Sequence, residues 1–206
     1  MRPLPRLHAV TDAAVRALPD LGVRAAAIAA AGSAVALHAR DRAATAAELA
    51  ALADRFVTLT LPAESATIVS GRPDIARAVG AQGVQLAASD LSPPDVRAAF
   101  GELWIGRSVH SVAEAEAAVA EGAGYLLIGS VFDTPSHPGR LPVGLEVVRA
   151  VSALGVPVIA IGGITPERAR EVREAGAYGI AAVRALWQAD DPARAALAFL
   201  EAWINE

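Results

Sequence analysis

Short apolar runs and amphipathic stretches take turns along this chain. The runs LHAVT (7–11), AVALHAR (34–40), ATIVS (66–70), GVQLA (83–87), WIGRSVH (104–110), YLLIGSV (125–131), PVIAIG (157–162) and GIAAVR (179–184) predict β-strands. Between and after them the spacing of apolar residues predicts helices over 20–31, 45–58, 73–79, 93–100, 112–121, 144–154, 166–175 and 191–203. Eight strand–helix pairs in this length fit a (β/α)8 TIM barrel or a doubly wound open sheet, and periodicity does not separate the two.

Helix punctuation agrees with the parse. Thr165-Pro166-Glu167 places an N-cap, a proline at the first helical position and an acid in the first turn. Gly176 stops that helix, and Asp191-Pro192 opens the last one. The phrases EGAGYLLIGS and EAGAYGIAAV mark one strand-entry turn used twice.

Composition narrows the class. A chain of 206 residues with no linker-like segment is expected to be one domain, 1–206, with a single buried core. It is 54% hydrophobic, largely through Ala, without a run long enough to span a membrane. The segment Met1-Arg2-Pro3-Leu4-Pro5 lacks the apolar core of a signal peptide, and there is no Cys, so a cytoplasmic location is expected. The net charge of −4 is spread over mixed-sign helices without a basic stripe, which argues against nucleic acid as a partner. An Ala-rich helical exterior with Trp187 and Trp203 admits a homodimer surface, against the simpler expectation that both pack the last helix onto the barrel.

The candidate chemistry gathers at strand ends. On strand 2, His38 and Arg40 share a face, and burying them on an apolar strand would be costly without partners. The bland alternative is a surface ion-pair cluster of Arg40, Asp41 and Arg42. On strand 5, Ser108 and His110 share a face while Arg107 points the other way. If the strands form a barrel, sites lie at their C-terminal ends, with a phosphate near the loops after strands 7 and 8. Strand 7 runs into Gly162 and Gly163, whose backbone N–H groups admit an anion, and strand 8 ends in Val183 and Arg184, a guanidinium donor. The loop after strand 6, Asp133-Thr134-Pro135-Ser136-His137-Pro138-Gly139-Arg140, offers hydroxyls and backbone donors to a phosphate or a small heterocycle.

The block IGRSVHSVAEAEAAVAEGAGYLLIGSVFDTPSHPGRLPVGLEVV, followed by PVIAIGGITPERAREVREAGAYGIAAVRAL, resembles the thiamine phosphate synthase/TenI family, over roughly residues 7–186. The resemblance implies the TIM barrel rather than the open sheet. It implies that Gly162, Gly163, Val183 and Arg184 hold a thiazole phosphate, although the family usually has Ser where Arg184 stands. His38, Arg40 and Arg42 resemble the family's Gln/His-x-Arg-Glu-Lys segment. Thr134, Pro135 and Ser136 resemble its Thr-Pro-Thr-Lys element, with His137 in place of Lys. Ser108 matches a position that contacts the pyrimidine pyrophosphate in the synthase. Gln85, in Val84-Gln85-Leu86-Ala87, is closer to the TenI branch. Asp90 matches a carboxylate that binds Mg²⁺ in the synthase, but its usual partner after strand 3 is replaced by Ser70-Gly71-Arg72, and the local sequence also suits a plain turn or helix cap. Ser130 stands where a thiazole tautomerase of the TenI type carries its acid/base His.

These matches imply a thiamine-biosynthesis barrel that takes a small phosphorylated heterocycle. The leading expectation is a TenI-like isomerase that moves a proton on a thiazole carboxylate phosphate without a cofactor. In it Arg40, His110 and Ser130 line the catalytic centre, Arg40 pairs the substrate carboxylate, and His110 or His38 carries the proton. The alternatives are thiamine phosphate synthase, the one reading that requires Mg²⁺ at Asp90, and a binder without turnover. Another phosphate-binding barrel, such as a sugar-phosphate isomerase, is the weakest reading.

Overall fold

The computed structural model describes residues 3–134, 139 and 141–204. Eight parallel strands, β1 (Leu7–Val10), β2 (Val35–Ala39), β3 (Ala66–Ser70), β4 (Gly83–Leu86), β5 (Trp104–Val109), β6 (Tyr125–Gly129), β7 (Val158–Ile161) and β8 (Gly179–Ala182), close in sequence order into a barrel. Closure is made by β1 pairing with β8, with Leu7 opposite Ile180 and Ala9 opposite Ala182. The barrel expected from the resemblance is therefore the fold, and the open sheet is not.

Around it lie α1 (Ala13–Arg16), α2 (Leu21–Ala29), α3 (Ala46–Thr60), α4 (Pro73–Val79), α5 (Pro93–Phe100), α6 (Val112–Ala120), α7 (Gly144–Ser152), α8 (Pro166–Glu174), α9 (Arg184–Trp187) and α10 (Pro192–Ile204). Local chemistry sets several starts. Thr45 and Glu48 form a reciprocal capping box on α3, and the Asp191 carboxylate accepts the Arg194 N–H ahead of α10. Thr165 occupies the N-cap position of α8, but its hydroxyl makes no cap bond, contrary to the sequence expectation. Two four-residue helices, α1 and α9, have no counterpart in the periodicity, so Arg184 opens a helix rather than ending a strand. Among the described residues no helix is long and apolar enough to cross a membrane.

The alternation of the strands builds two apolar layers. Leu7, Ala9, Leu37, Val69, Val84, Ile105 and Leu126 face the helices. Val10, Ala36, Ala66, Ile68, Trp104, Tyr125, Leu127, Ile159 and Ala181 fill the barrel. Gly106 makes room for Tyr125, since a Cβ there would run into the Tyr125 ring and the Gln85 amide. Trp187 is fully buried and stacks on Phe56 with ring centroids 5.9 Å apart, and Trp203 is buried as well. Both Trp side chains therefore belong to the packing of the last helices, and neither offers a dimer surface.

Candidate functional site

The predicted strands overrun the observed ladders at their C-terminal ends, and the overrun residues form the site. Ala87, His110, Val183 and Arg184 all follow the last ladder residue of their strands. Freed from pairing, these segments diverge and leave two cavities at the barrel mouth.

The smaller cavity, about 370 Å³, lies over β6, β7 and β8 and is lined by Ser130, Thr134, Gly162, Gly163, Val183 and Arg184 among others. Both glycines have positive φ, 104° at Gly162 and 66° at Gly163, so the chain turns sharply where β7 ends. The Arg184 guanidinium donates to Thr134 Oγ1 at 3.2 Å, which ties the loop after β6 to the end of β8. All four residues expected to hold phosphate thus line one cavity. Sequence reasoning missed Arg168, in the first turn of α8, which lines the same cavity, donates to the Gly163 carbonyl at 2.9 Å and lies over the Phe132 ring. A basic residue following a Gly-Gly turn was the available signal.

The larger cavity, about 850 Å³, lies over β1 to β5 and is lined by His38, Arg40, Arg42, Gln85, Asp90 and Ser108 among others. Gln85 Nε2 donates to Ser108 Oγ at 3.0 Å, so these two candidates are held together. Arg40, Asp41 and Arg42 lie near enough to feel one another's charge but make no direct ion pair together. Asp41 turns away to Arg16 at 2.5 Å and caps the Ala43 N–H at 2.9 Å, while Arg40 stays on the cavity wall. Burial, and then the like charge of Arg42, lower the Arg40 pKa from its ordinary value. A guanidinium still remains charged in a protein, so Arg40 is a partly desolvated cation facing open space.

Asp90 behaves chiefly as a turn residue: its Oδ2 accepts the Ala87 N–H at 2.7 Å. Gly71, with φ 70°, lies against it, and a Cβ at Gly71 would sit 3.3 Å from Asp90 Oδ2. Among the described residues no three His, Cys, Asp or Glu side chains gather into a metal cluster.

His110 lies where the two cavities meet, together with Gly129, Ile161 and Val183. Its Nδ1–H donates to the Gly129 carbonyl and its backbone N–H donates to Glu114 at 2.8 Å, which fixes the ring at this seam. Ser130 lines the smaller cavity, and among the described residues no base hydrogen-bonds its hydroxyl. Pro135, Ser136 and His137 lie outside the described residues.

His38 is fully buried and bonded to His8, a second fully buried histidine that sequence reasoning passed over. Burial holds the pKa of His8 down to about 4 and pushes that of His38 well below its ordinary value. His38 is thereby a poor proton carrier near neutrality. The feature that marks His38, a polar side chain on an apolar strand, marks His8 equally.

The thiamine monophosphate synthase family model matches residues 7–186. A thiamine-phosphate synthase of Salinispora arenicola is 41% identical over 206 residues, covering 98% of this chain and 99% of that protein. One of Gloeobacter violaceus is 44% identical over 164 residues, 79% of this chain and 48% of that protein, so the match spans only about half of that relative. Among solved structures, a thiamine phosphate pyrophosphorylase from Pyrococcus furiosus superposes with a TM-score of 0.83 at 33% identity, covering 96% of this chain and 95% of that one. These names favour the synthase, an alternative in the sequence reading, over the tautomerase that led it.

Proposed function

The chain belongs to the thiamine monophosphate synthase family, and on that premise we propose that it joins a pyrimidine carrying a pyrophosphate to a thiazole carrying a phosphate. The observation that carries this reading is the pair of cavities. Each is lined by groups able to hold an anion, Gly162, Gly163 and Arg184 in one and Arg40 and Arg42 in the other, and the two meet at His110, Gly129, Ile161 and Val183. A proton shift acts on one small molecule, even where, as in a thiazole carboxylate phosphate, that molecule carries two anions. Joining two phosphorylated molecules needs two anchors and a common seam.

In the proposed step the bond between the pyrimidine methylene carbon and the pyrophosphate oxygen breaks, and the oxygen keeps the electron pair. The thiazole nitrogen lone pair forms the new carbon–nitrogen bond, and pyrophosphate leaves. No proton has to be moved, so neither Ser130 nor His38 is required as a base. Arg40 and Arg42 balance the charge growing on the leaving group. Gly162, Gly163 and Arg184 orient the thiazole by its phosphate, and His110 closes the seam against misaligned approach.

The family reading also implies Mg²⁺. The residues fit an ion that arrives with its substrate: Asp90 would supply a carboxylate oxygen, and the pyrophosphate oxygens would supply others. When bound, the ion neutralises negative charge on the pyrophosphate. Replacing Gly71 by Asp is expected to add a second carboxylate beside Asp90, at a backbone conformation that Asp tolerates better than most residues. Mn²⁺ binding followed by electron paramagnetic resonance should tighten about tenfold. Unchanged binding would mean that Gly71 is not the gap in the metal site.

The direct test supplies both substrates and Mg²⁺ and measures thiamine phosphate by fluorescence after oxidation. Product that a chelator abolishes is the expected result. Binding of both substrates without product would overturn the synthase reading and leave a binder.

A further inference from the structure

His8 and His38 sit on adjacent strands, with Val10 opposite His38 and His8 opposite Ala36. Their ring nitrogens are 2.7 Å apart, His8 Nδ1 to His38 Nε2, and His8 Nε2 lies 3.0 Å from the Pro5 carbonyl oxygen. A carbonyl only accepts, so His8 Nε2 carries the hydrogen. In a neutral His8 the other nitrogen, Nδ1, is then a lone pair. His38 Nε2 must donate to it, which leaves His38 Nδ1 as the lone pair of a neutral ring. Burial holds both rings neutral near pH 7. His38 Nδ1 is buried and, among the described residues, has no hydrogen-bond partner, while His38 itself lines the larger cavity. Ser70 Oγ and Gln85 Oε1, on β3 and β4 of the same wall, are likewise buried and unpartnered among those residues.

We infer that His8, which lines neither cavity, is a positioning residue: by accepting the His38 Nε2–H it locks His38 Nδ1 as an acceptor, so the larger cavity selects an occupant that presents an N–H donor to β2. This rests on the reading above only in naming that occupant, an aminopyrimidine pyrophosphate whose exocyclic amino group is the donor. An analogue with a carbonyl oxygen in place of the amino group would set acceptor against acceptor. A site built around a hydrogen bond rejects the wrong partner strongly, because a buried polar group is left unpaired.

The test has two arms. Long-range proton–nitrogen NMR of the wild-type protein without ligand is expected to show His38 protonated at Nε2 and bare at Nδ1. His8→Asn keeps a side-chain acceptor near the position of Nδ1 and should retain this spectrum, whereas His8→Leu should lose it. In titrations with the aminopyrimidine pyrophosphate and its oxo counterpart, the wild type and His8→Asn are expected to prefer the amino compound by about tenfold to a hundredfold, and His8→Leu by much less. His38 protonated at Nδ1 in the wild type would overturn the inference whatever the reaction. So would an unchanged preference in a folded His8→Leu protein whose His38 has changed tautomer. If neither pyrimidine binds while the spectrum is as expected, the synthase reading fails and the lock stands on its own spectrum.

Discussion

Gly163→Ala is expected to abolish useful binding of thiazole phosphate and to destabilise the barrel. At a φ of 66° an L side chain is strained by about 1–2 kcal/mol. The new Cβ would also lie 2.5 Å from the Asp133 carbonyl oxygen and 2.8 Å from Phe132 Cβ, so the turn has to move. Forcing a methyl group into such a site costs about 1–3 kcal/mol more. The melting temperature should fall by roughly 4–20 °C for a chain of this size. Backbone N–H groups displaced from a phosphate cost about 1.5–3 kcal/mol for each charged hydrogen bond lost, so affinity should fall at least about tenfold. Gly155→Ala is the control, because Gly155 has a φ of 82° but nothing within 4 Å of a new Cβ. It should show strain alone and bind ligand normally. If Gly163→Ala binds thiazole phosphate as the wild type does, the turn after β7 is not the anion holder.

Arg40→Met should lose turnover and keep the fold. Arg40 is a cation partly withdrawn from water without a bonded carboxylate among the described residues. Its removal relieves a desolvation cost, so thermal stability is expected to hold or rise. The proposed reaction, in contrast, would lose a charge that stabilises the leaving pyrophosphate, and turnover should fall by about 10²–10³. Arg40→Lys keeps the charge without the planar fork and should recover part of that loss. Steady-state kinetics separate the outcomes: a fall in kcat marks charge stabilisation in the transition state, and a rise in KM alone marks ground-state binding. Unchanged turnover in Arg40→Met would remove Arg40 from the proposed chemistry.

How far the sequence can be read depends on the range of the interaction. Each strand and each long helix lies where its own residues alternate, because those patterns are local. Closure is not local. The pairing of Leu7 with Ile180 separates a barrel from an open sheet, and no periodicity records it. The strand ends were placed too far along for a related reason: Val183 is apolar like the strand before it, but its backbone turns to φ −107°, ψ −87° and starts α9. Candidates chosen by parity on one strand, such as Ser108 with His110 or His38 with Arg40, do line the mouth. Partnerships across strands were invisible. His8 meets His38, and the Asp41 carboxylate pairs with Arg16 rather than with Arg40 or Arg42. The two cavities, whose meeting favours a joining reaction over a proton shift, also lie beyond any one-dimensional pattern.

The closing seam has a consequence for the life of the chain in a cell. On the ribosome β1 emerges first but has to wait for residues 179–182 before its free edge is paired. The turns proposed to hold the thiazole phosphate, after β7 and β8, straddle the last part of the barrel to be synthesised. A ligand at that place binds only the finished barrel, and at a hundred times its Kd it adds about 2.7 kcal/mol of stability. On the proposed function, the supply of thiazole phosphate would then set how much of the newly made protein escapes proteolysis, so that a precursor would protect the catalyst that consumes it.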